Sequence, residues 1–281
     1  MTEQHLLSYV NPANWRRRPP TVGVVRLAGA IGLPWPGRGG LSIGSIGGPL
    51  EQAFGLRNLQ AVALAINSPG GSAVQSSLIA QRIRALAAEN SVPVLAFVED
   101  LAASGGYWLA TAGDEIYADD SSIVGSIGVI AAGFGFPDLL QRIGIERRIH
   151  TAGPRKSMLD PFRPEQPEDL ARLTQIQQAI HENFKAQVRE RRAGRLKGEE
   201  ADLFSGEIWT AREALKRGLI DGIGDMRKVL RARYGEKVRL VAIGARRGWL
   251  RRRLGLASPE AWPEQALASV EERALWTRYG L

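Results

Sequence analysis

Short apolar runs alternate with amphipathic stretches along much of this chain. The runs at residues 22–27, 62–66, 92–98 and 238–243 predict strands. Two stretches repeat their apolar residues at the spacing of an amphipathic helix. The first set is Val74, Leu78, Ile79, Ile83 and Leu86, and the second is Leu170, Leu173, Ile180, Phe184 and Val188. Because strand and helix patterns alternate from residue 61 to residue 150, we expect an α/β fold with parallel strands.

The remaining segments have less regular patterns. Residues 1–20 form a polar tail, and residues 146–150 form a strand-like run. Residues 29–48 are rich in glycine and proline, which favours either a flexible loop over the functional side of the sheet or a disordered insert. The chain shows no internal duplication. We therefore expect one domain over residues 21–243, followed by a basic, helical C-terminal extension over residues 244–281.

Composition excludes several classes of protein. The chain has 281 residues, of which 44% are hydrophobic, as expected for a globular protein with a sizeable core. It has no cysteine, which excludes disulfides, a thiolate nucleophile and cysteine-based metal sites. The net charge of +8 suits an anionic partner, but no nucleic-acid-binding motif accompanies it, so we expect no nucleic-acid partner.

The sequence also shows neither the pattern of a membrane-spanning helix nor that of a secretory signal. The uncharged stretch at residues 121–137 contains four glycines and is shorter than the roughly 20 apolar residues of a spanning helix. Residues 16–18 are arginines, but prolines follow them rather than the apolar core of a secretory signal. We expect a cytoplasmic protein. The basic stretch at 251–253 lies among apolar residues and suits peripheral membrane contact, although we favour a docking helix or an oligomer contact there.

The residues Ala103-Ser104-Gly105-Gly106-Tyr107-Trp108 lie between an apolar run and a helical pattern. A serine at a sharp strand-to-helix turn exposes its hydroxyl, and the helix N-terminus favours the anion that acyl transfer creates. Ser104 is therefore a candidate nucleophile. Glycine-rich turns of this kind are also common as purely structural connections.

A second glycine-rich turn, Asn67-Ser68-Pro69-Gly70-Gly71, follows the run at 62–66 and precedes a helix whose expected N-cap is Ser72. Backbone N–H groups at such a turn have no internal partner and can stabilise developing negative charge. The turn is therefore a candidate oxyanion hole, and a plain strand-to-helix connection is the alternative.

A serine nucleophile needs a general base. The three histidines, His5, His150 and His181, show no setting typical of a Ser-His-Asp triad. Lys156 lies in the segment Gly153-Pro154-Arg155-Lys156-Ser157-Met158, and a lysine can act as a base where burial lowers its pKa toward neutrality. Loop lysines are, however, usually solvated.

Taken together, these segments resemble the signal peptide peptidase A family, the S49 serine peptidases. Two more segments are similar to that family: Gly125-Ser126-Ile127-Gly128-Val129, and the sequence from Glu207 to Gly224. The resemblance runs from about residue 22 to residue 225. It implies a ClpP/crotonase-like α/β fold with repeated β-β-α units.

The resemblance also implies roles for individual residues. Ser104 corresponds to the nucleophile and Lys156 to the general base of a Ser–Lys dyad. Oxyanion and substrate-binding roles fall on the residues Gly70, Gly71, Gly105, Ser126, Ile127 and Gly128. We expect the substrate to bind as an extended peptide that pairs with a strand edge in the segment from Ser126 to Val129. A single-repeat member is expected to form a ring-like homo-oligomer that shares the dyad between subunits. We expect neither a cofactor nor a metal.

The expected function is hydrolysis of peptide bonds in signal-peptide remnants or other peptides with small or apolar residues. Two other functions remain open. A crotonase-like acyl-CoA enzyme would share the fold and the oxyanion cradle without requiring Ser104 or Lys156. A non-catalytic assembly factor would keep the fold to bind peptides.

Overall fold

The computed structural model describes residues 19–32, 40–244, 273 and 275–280. Its centre is an eight-stranded sheet in which β6, β5, β3, β2, β1 and β8 are successive neighbours, while β4 pairs with β3 and β7. The strands are β1 (Thr21–Ala28), β2 (Leu59–Ser68), β3 (Val94–Ala103), β4 (Glu115–Ala118), β5 (Ile123–Gly125), β6 (Ile208–Thr210), β7 (Gly222–Ile223) and β8 (Arg239–Ile243). All pairs are parallel except β5 with β6.

Helices cover both faces of this sheet, so its central strands are apolar on both sides. The helices are α1 (Ile43–Phe54), α2 (Ala73–Asn90), α3 (Gly105–Ala110), α4 (Pro137–Arg142), α5 (Pro167–Arg191), α6 (Glu200–Leu203), α7 (Ala211–Lys216) and α8 (Met226–Tyr234). On one face the main core includes α1, α2, α3 and α5. On the other, Leu230 of α8 packs with Val22, Ala61, Leu95 and Phe97. The predicted α/β fold with parallel strands is thus confirmed.

The order of parallel strands determines where the two glycine-rich turns lie. β2 and β3 are adjacent and pair in parallel, with Ser68 opposite Ala102. Because parallel neighbours end at the same edge of a sheet, the turn after β2 and the turn after β3 meet there. The two candidate motifs of the sequence therefore fall side by side.

Some predictions from the pattern were wrong or incomplete. Residues 43–48 begin helix α1 instead of continuing a loop, since Ser42 forms a capping box with Ser45; residues 33–39 lie outside the described range. Residues 146–150 form no strand because no neighbouring strand pairs with them. On α2, Ser72 is the N-cap as expected, but Val74 and Leu78 are exposed.

The segment of residues 129–166, here called the outer segment, contains no buried residue. It nevertheless has internal order: the N–H of Phe136 donates to Pro161 O (2.6 Å), and Arg147 pairs with Asp160 (3.1 Å). Its surface displays many large apolar side chains: Ile130, Phe134, Phe136, Leu139, Ile143, Ile145 and Leu159. Exposed apolar sets of this extent are rare on monomeric soluble proteins.

The basic C-terminal extension predicted for residues 244–281 lies mostly outside the described residues, as does the polar tail at 1–18. Within the described part of the chain, no helix combines the length and the apolar character needed to span a bilayer.

Candidate active site

Ser104 occupies the turn between β3 and α3. Its backbone has φ 52° and ψ −122°, a conformation that a residue with a side chain adopts only at a cost of about 1–3 kcal/mol. The surrounding structure holds it there, because the N–H of Ser104 donates to Gly125 O of β5 (2.9 Å). Strained strand-to-helix turns of this kind present a nucleophilic hydroxyl in serine hydrolases.

The turn after β2 lies directly against Ser104. Gly70 and Gly71 both have positive φ values, of 101° and 138°. A Cβ on Gly70 would lie 2.8 Å from the Cβ of Ser104 and 2.9 Å from the backbone N of Gly105. Only glycine therefore allows the two turns to approach so closely.

Two backbone N–H groups at this junction have no acceptor among the described residues. Ile31 forms a parallel bridge with Gly71. In this bridge the N–H of Ile31 donates to Gly70 O and the N–H of Ser72 donates to Ile31 O, so the N–H of Gly71 takes no part. Gly105 is the first residue of α3, so its N–H has no partner within the helix. A Cβ on Gly105 would lie 3.4 Å from Gly71 N. The N–H groups of Gly71 and Gly105 thus lie beside Ser104, as an oxyanion hole requires.

These groups open into a cavity of about 760 Å³. Its wall includes the apolar side chains of Ile31, Trp108, Ile180 and Phe184. The rings of Trp108 and Phe184 stack with centroids 4.7 Å apart, which fixes the floor between α3 and α5. The cavity therefore offers an apolar binding surface next to Ser104.

The predicted substrate-binding residues lie at this cavity but not in a strand. β5 ends at Gly125, and Ser126 has a positive φ of 54°. The N–H of Ser126 donates to Glu207 O (2.6 Å), and that of Gly128 donates to Ser126 O (2.9 Å). The expected open strand edge is thus replaced by a turn, because these N–H groups have internal acceptors. Ser126 and Gly128 line the cavity, and Ile127 is buried beneath them.

Lys156 is not brought to Ser104 within one chain. It lies in the outer segment, its side chain is exposed, and it does not line the cavity that contains Ser104. Its backbone N–H donates to Gly153 O (3.2 Å), which closes a local turn. The general-base role of Lys156 remains a prediction that depends on a second subunit.

Some cavity residues were not identified from the sequence. His181 lines the cavity, and its Nε2 lies 3.0 Å from Ile127 O. Leu275, Arg278 and Tyr279 also line it, and the Tyr279 hydroxyl lies 3.4 Å from Ser126 Oγ. The C-terminal residues gave no sequence signal, whereas the spacing of His181 and Phe184, one helical turn apart, indicated a shared face.

Buried polar contacts anchor helix α3, which begins after Ser104. The Tyr107 hydroxyl donates to Leu219 O (2.8 Å), and burial raises the pKa of this phenol. Arg192 is 1% exposed and forms paired hydrogen bonds to Asp221 (2.6 and 3.0 Å) while also donating to Gly218 O. The segment around residues 218–221, which carries one of the sequence motifs, therefore supports the helix that begins after Ser104.

Among the described residues, no group of three or more His, Asp or Glu side chains is arranged to hold a metal ion.

A serine on a strained turn beside two free amides is an arrangement that serine hydrolases use. The sequence profile of Peptidase family S49 matches residues 87–238, a range that includes Ser104 and Lys156. The chain belongs to peptidase family S49. The predicted family, which is a family of serine peptidases, is confirmed.

Individual relatives match with different coverage. The chain is 52% identical over 288 residues to the "Na(+)/H(+) antiporter NhaA" of Brucella abortus (strain 2308), covering 98% of this chain and 39% of that protein. It is 32% identical over 175 residues to "Serine protease SPPA, chloroplastic" of Arabidopsis thaliana, covering 62% of this chain and 25% of that protein. The chain thus spans less than half the length of these relatives.

A solved structure confirms the predicted ClpP/crotonase-like fold class. It is a lysine-to-alanine mutant of the 1510-N membrane-bound stomatin-specific protease in complex with a substrate peptide. The TM-score is 0.52 at 17% sequence identity, with 90% of this chain and 100% of that chain covered. At this identity the likeness concerns the fold alone.

Proposed function

We propose that this protein is a serine endopeptidase that cleaves peptide bonds through an acyl-enzyme on Ser104. The observation that carries the proposal is the junction of the two glycine-rich turns. There, the Ser104 turn lies against the free N–H groups of Gly71 and Gly105 at the edge of an apolar cavity.

The reaction proceeds through acylation of Ser104 and then deacylation. Ser104 Oγ attacks the scissile carbonyl as its proton passes to the base, and the resulting oxyanion accepts hydrogen bonds from Gly71 and Gly105. Each such donor contributes about 3 kcal/mol of transition-state stabilisation. The C–N bond then breaks, the amine leaves with the proton from the base, and water attacks the ester to release the acid and restore the serine.

The base in this proposal is Lys156 of a neighbouring subunit. Support comes from the outer segment, which carries Lys156 away from the core on a surface rich in exposed apolar side chains. Packing that surface against a second copy removes it from water, and desolvation favours the neutral form of a lysine. A ring-like homo-oligomer with a shared dyad follows from the same proposal.

The proposed substrates are peptides with small or apolar residues near the cut. The walls formed by Ile31, Trp108 and Phe184 favour apolar side chains. Signal-peptide remnants meet this requirement, and so do soluble peptides and segments of unfolded protein.

Peptide profiling of wild type against Ser104→Ala tests the proposal. We expect cleavage of apolar peptides by the wild type alone, and labelling of Ser104 by a phosphonate serine probe. CoA-dependent turnover that persists in Ser104→Ala would support the crotonase-like function instead. A protein that binds peptides while neither cleaving them nor reacting with the probe would support a non-catalytic assembly factor.

A further inference from the structure

His181 contacts the segment that follows β5, which begins beside the Ser104 turn. Its Nε2 atom lies 3.0 Å from the carbonyl oxygen of Ile127, and its side chain is half-buried. A carbonyl oxygen can only accept, so Nε2 carries the proton and donates. Within the described residues, this is the one hydrogen bond that the Ile127 carbonyl accepts.

The same helix face also supports the nucleophile helix. Phe184 follows His181 by one turn of α5 and stacks on Trp108 of α3, with ring centroids 4.7 Å apart. α3 begins directly after Ser104. One face of α5 therefore contacts both α3 and the residues Ser126–Gly128, and it links these two parts of the cavity wall.

The turn at Ser126–Gly128 has few other restraints. Ser126 is held by its N–H bond to Glu207 O, and Gly128 by its N–H bond to Ser126 O. The Gly128 N–H and the Ile127 carbonyl belong to the same peptide plane. The bond to Ser126 O therefore restrains one side of that plane, and the contact with His181 restrains the other. Rotation of this plane would turn Gly128, which lines the cavity, relative to Ser104.

We propose that His181 is a positioning residue for peptide hydrolysis, an inference that rests on the proposed peptidase function. Its Nε2–H holds the Ile127 carbonyl and so places Ser126 and Gly128, which line the same cavity as Ser104, to contact the bound substrate. Because Nε2 is engaged by this carbonyl, the role of His181 is to align the substrate, and proton transfer from Ser104 belongs to another group. Its loss should raise KM more than it lowers kcat.

The test compares His181→Leu with His181→Gln in the full chain. Leucine has similar bulk but no donor, while the glutamine amide places an N–H close to where Nε2 lies. We expect His181→Leu to raise KM for an apolar peptide about tenfold, the worth of a typical hydrogen bond. We expect His181→Gln to recover most of that loss. Gln178→Leu, an exposed position on the same helix, is the matched control and should match wild type.

A phosphonate probe without a peptide portion reports separately on Ser104. Its labelling rate should be unchanged in both His181 variants, and thermal unfolding should show that both are folded. Equal KM values for the leucine and glutamine variants would overturn the positioning role. A collapse of kcat in both variants would overturn it in favour of His181 as the base. If wild type neither cleaves peptides nor reacts with the probe, the proposed function itself fails.

Discussion

At the scale of single residues, Ser104 has a strained backbone conformation at the turn that presents its hydroxyl. Its positive φ is unfavourable for any residue with a Cβ, so alanine at this position keeps the strain, whereas glycine relieves it. The strain persists because β5 accepts the Ser104 N–H and the turn after β2 packs against it.

We predict that Ser104→Ala and Ser104→Gly both reduce peptidase turnover below about one per cent of wild type, because a nucleophile typically contributes several orders of magnitude. Their stabilities should differ. Ser104→Ala should unfold at nearly the wild-type temperature, and Ser104→Gly at the same or a higher temperature. Turnover of a fluorogenic peptide and differential scanning calorimetry check both statements. A lower unfolding temperature for the glycine variant would show that the turn is not strained.

A second residue-scale prediction concerns Gly70. Gly70→Ala places a Cβ 2.8 Å from the Cβ of Ser104 and requires a φ of 101°. Something must shift, so we expect turnover and probe labelling of Ser104 to fall at least tenfold. Gly47→Ala is the control: it lies within α1 with no atom within 4 Å of the new Cβ, and should leave activity unchanged. Normal labelling of Gly70→Ala would contradict the close approach of the two turns.

The sequence predicted some residues of this site and missed others for a physical reason. Ser104, Gly70, Gly71 and Gly105 lie in short local motifs at strand ends, and adjacent parallel strands bring such ends together. His181 reaches the site from a distant helix, through a contact with Ile127 that no local pattern encodes.

At the scale of elements, the strand and helix periodicity was sufficient for β1, β2, β3, β8, α2 and α5. It was insufficient where hydrogen-bond partners decide the outcome. Strand β5 ends at Gly125 and does not continue into the apolar residues that follow, because the N–H of Ser126 donates to Glu207 O. Helix α1 arises in a glycine-rich segment because its capping box and the burial of Ile46, Leu50 and Phe54 outweigh weak helix propensity.

The buried pair of Arg192 and Asp221 provides the element-scale prediction. Asp221→Ala removes the partner of a charge that is 1% exposed, and also an acceptor for the Ile116 N–H (2.7 Å). We expect a loss of about 3–5 kcal/mol in the free energy of unfolding, measured with urea. Glu99→Ala, which breaks the exposed pair with Arg26, should cost no more than about 1 kcal/mol. Equal effects would show that burial of Arg192 adds nothing to the pair.

At the scale of the whole molecule, the proposed Ser104–Lys156 dyad is not assembled within one described chain. Ser104 and the amides of Gly71 and Gly105 belong to the core, whereas Lys156 belongs to the outer segment, which has no buried residue. Sequence motifs could place each part on its own element, but they carry no information on how two copies pack.

The shared dyad leads to the last prediction. Ser104→Ala and Lys156→Ala subunits should each be inactive alone, and Lys156→Arg should be inactive too, since a guanidinium cannot be deprotonated in the working pH range. Refolding the two alanine variants together forms some interfaces that pair an intact Ser104 with an intact Lys156, so measurable activity should return. Light scattering has to show that the mixture has assembled into oligomers. A co-assembled mixture that stays inactive would mean that both residues act within one chain, and the outer segment would then have to fold back onto its own cavity.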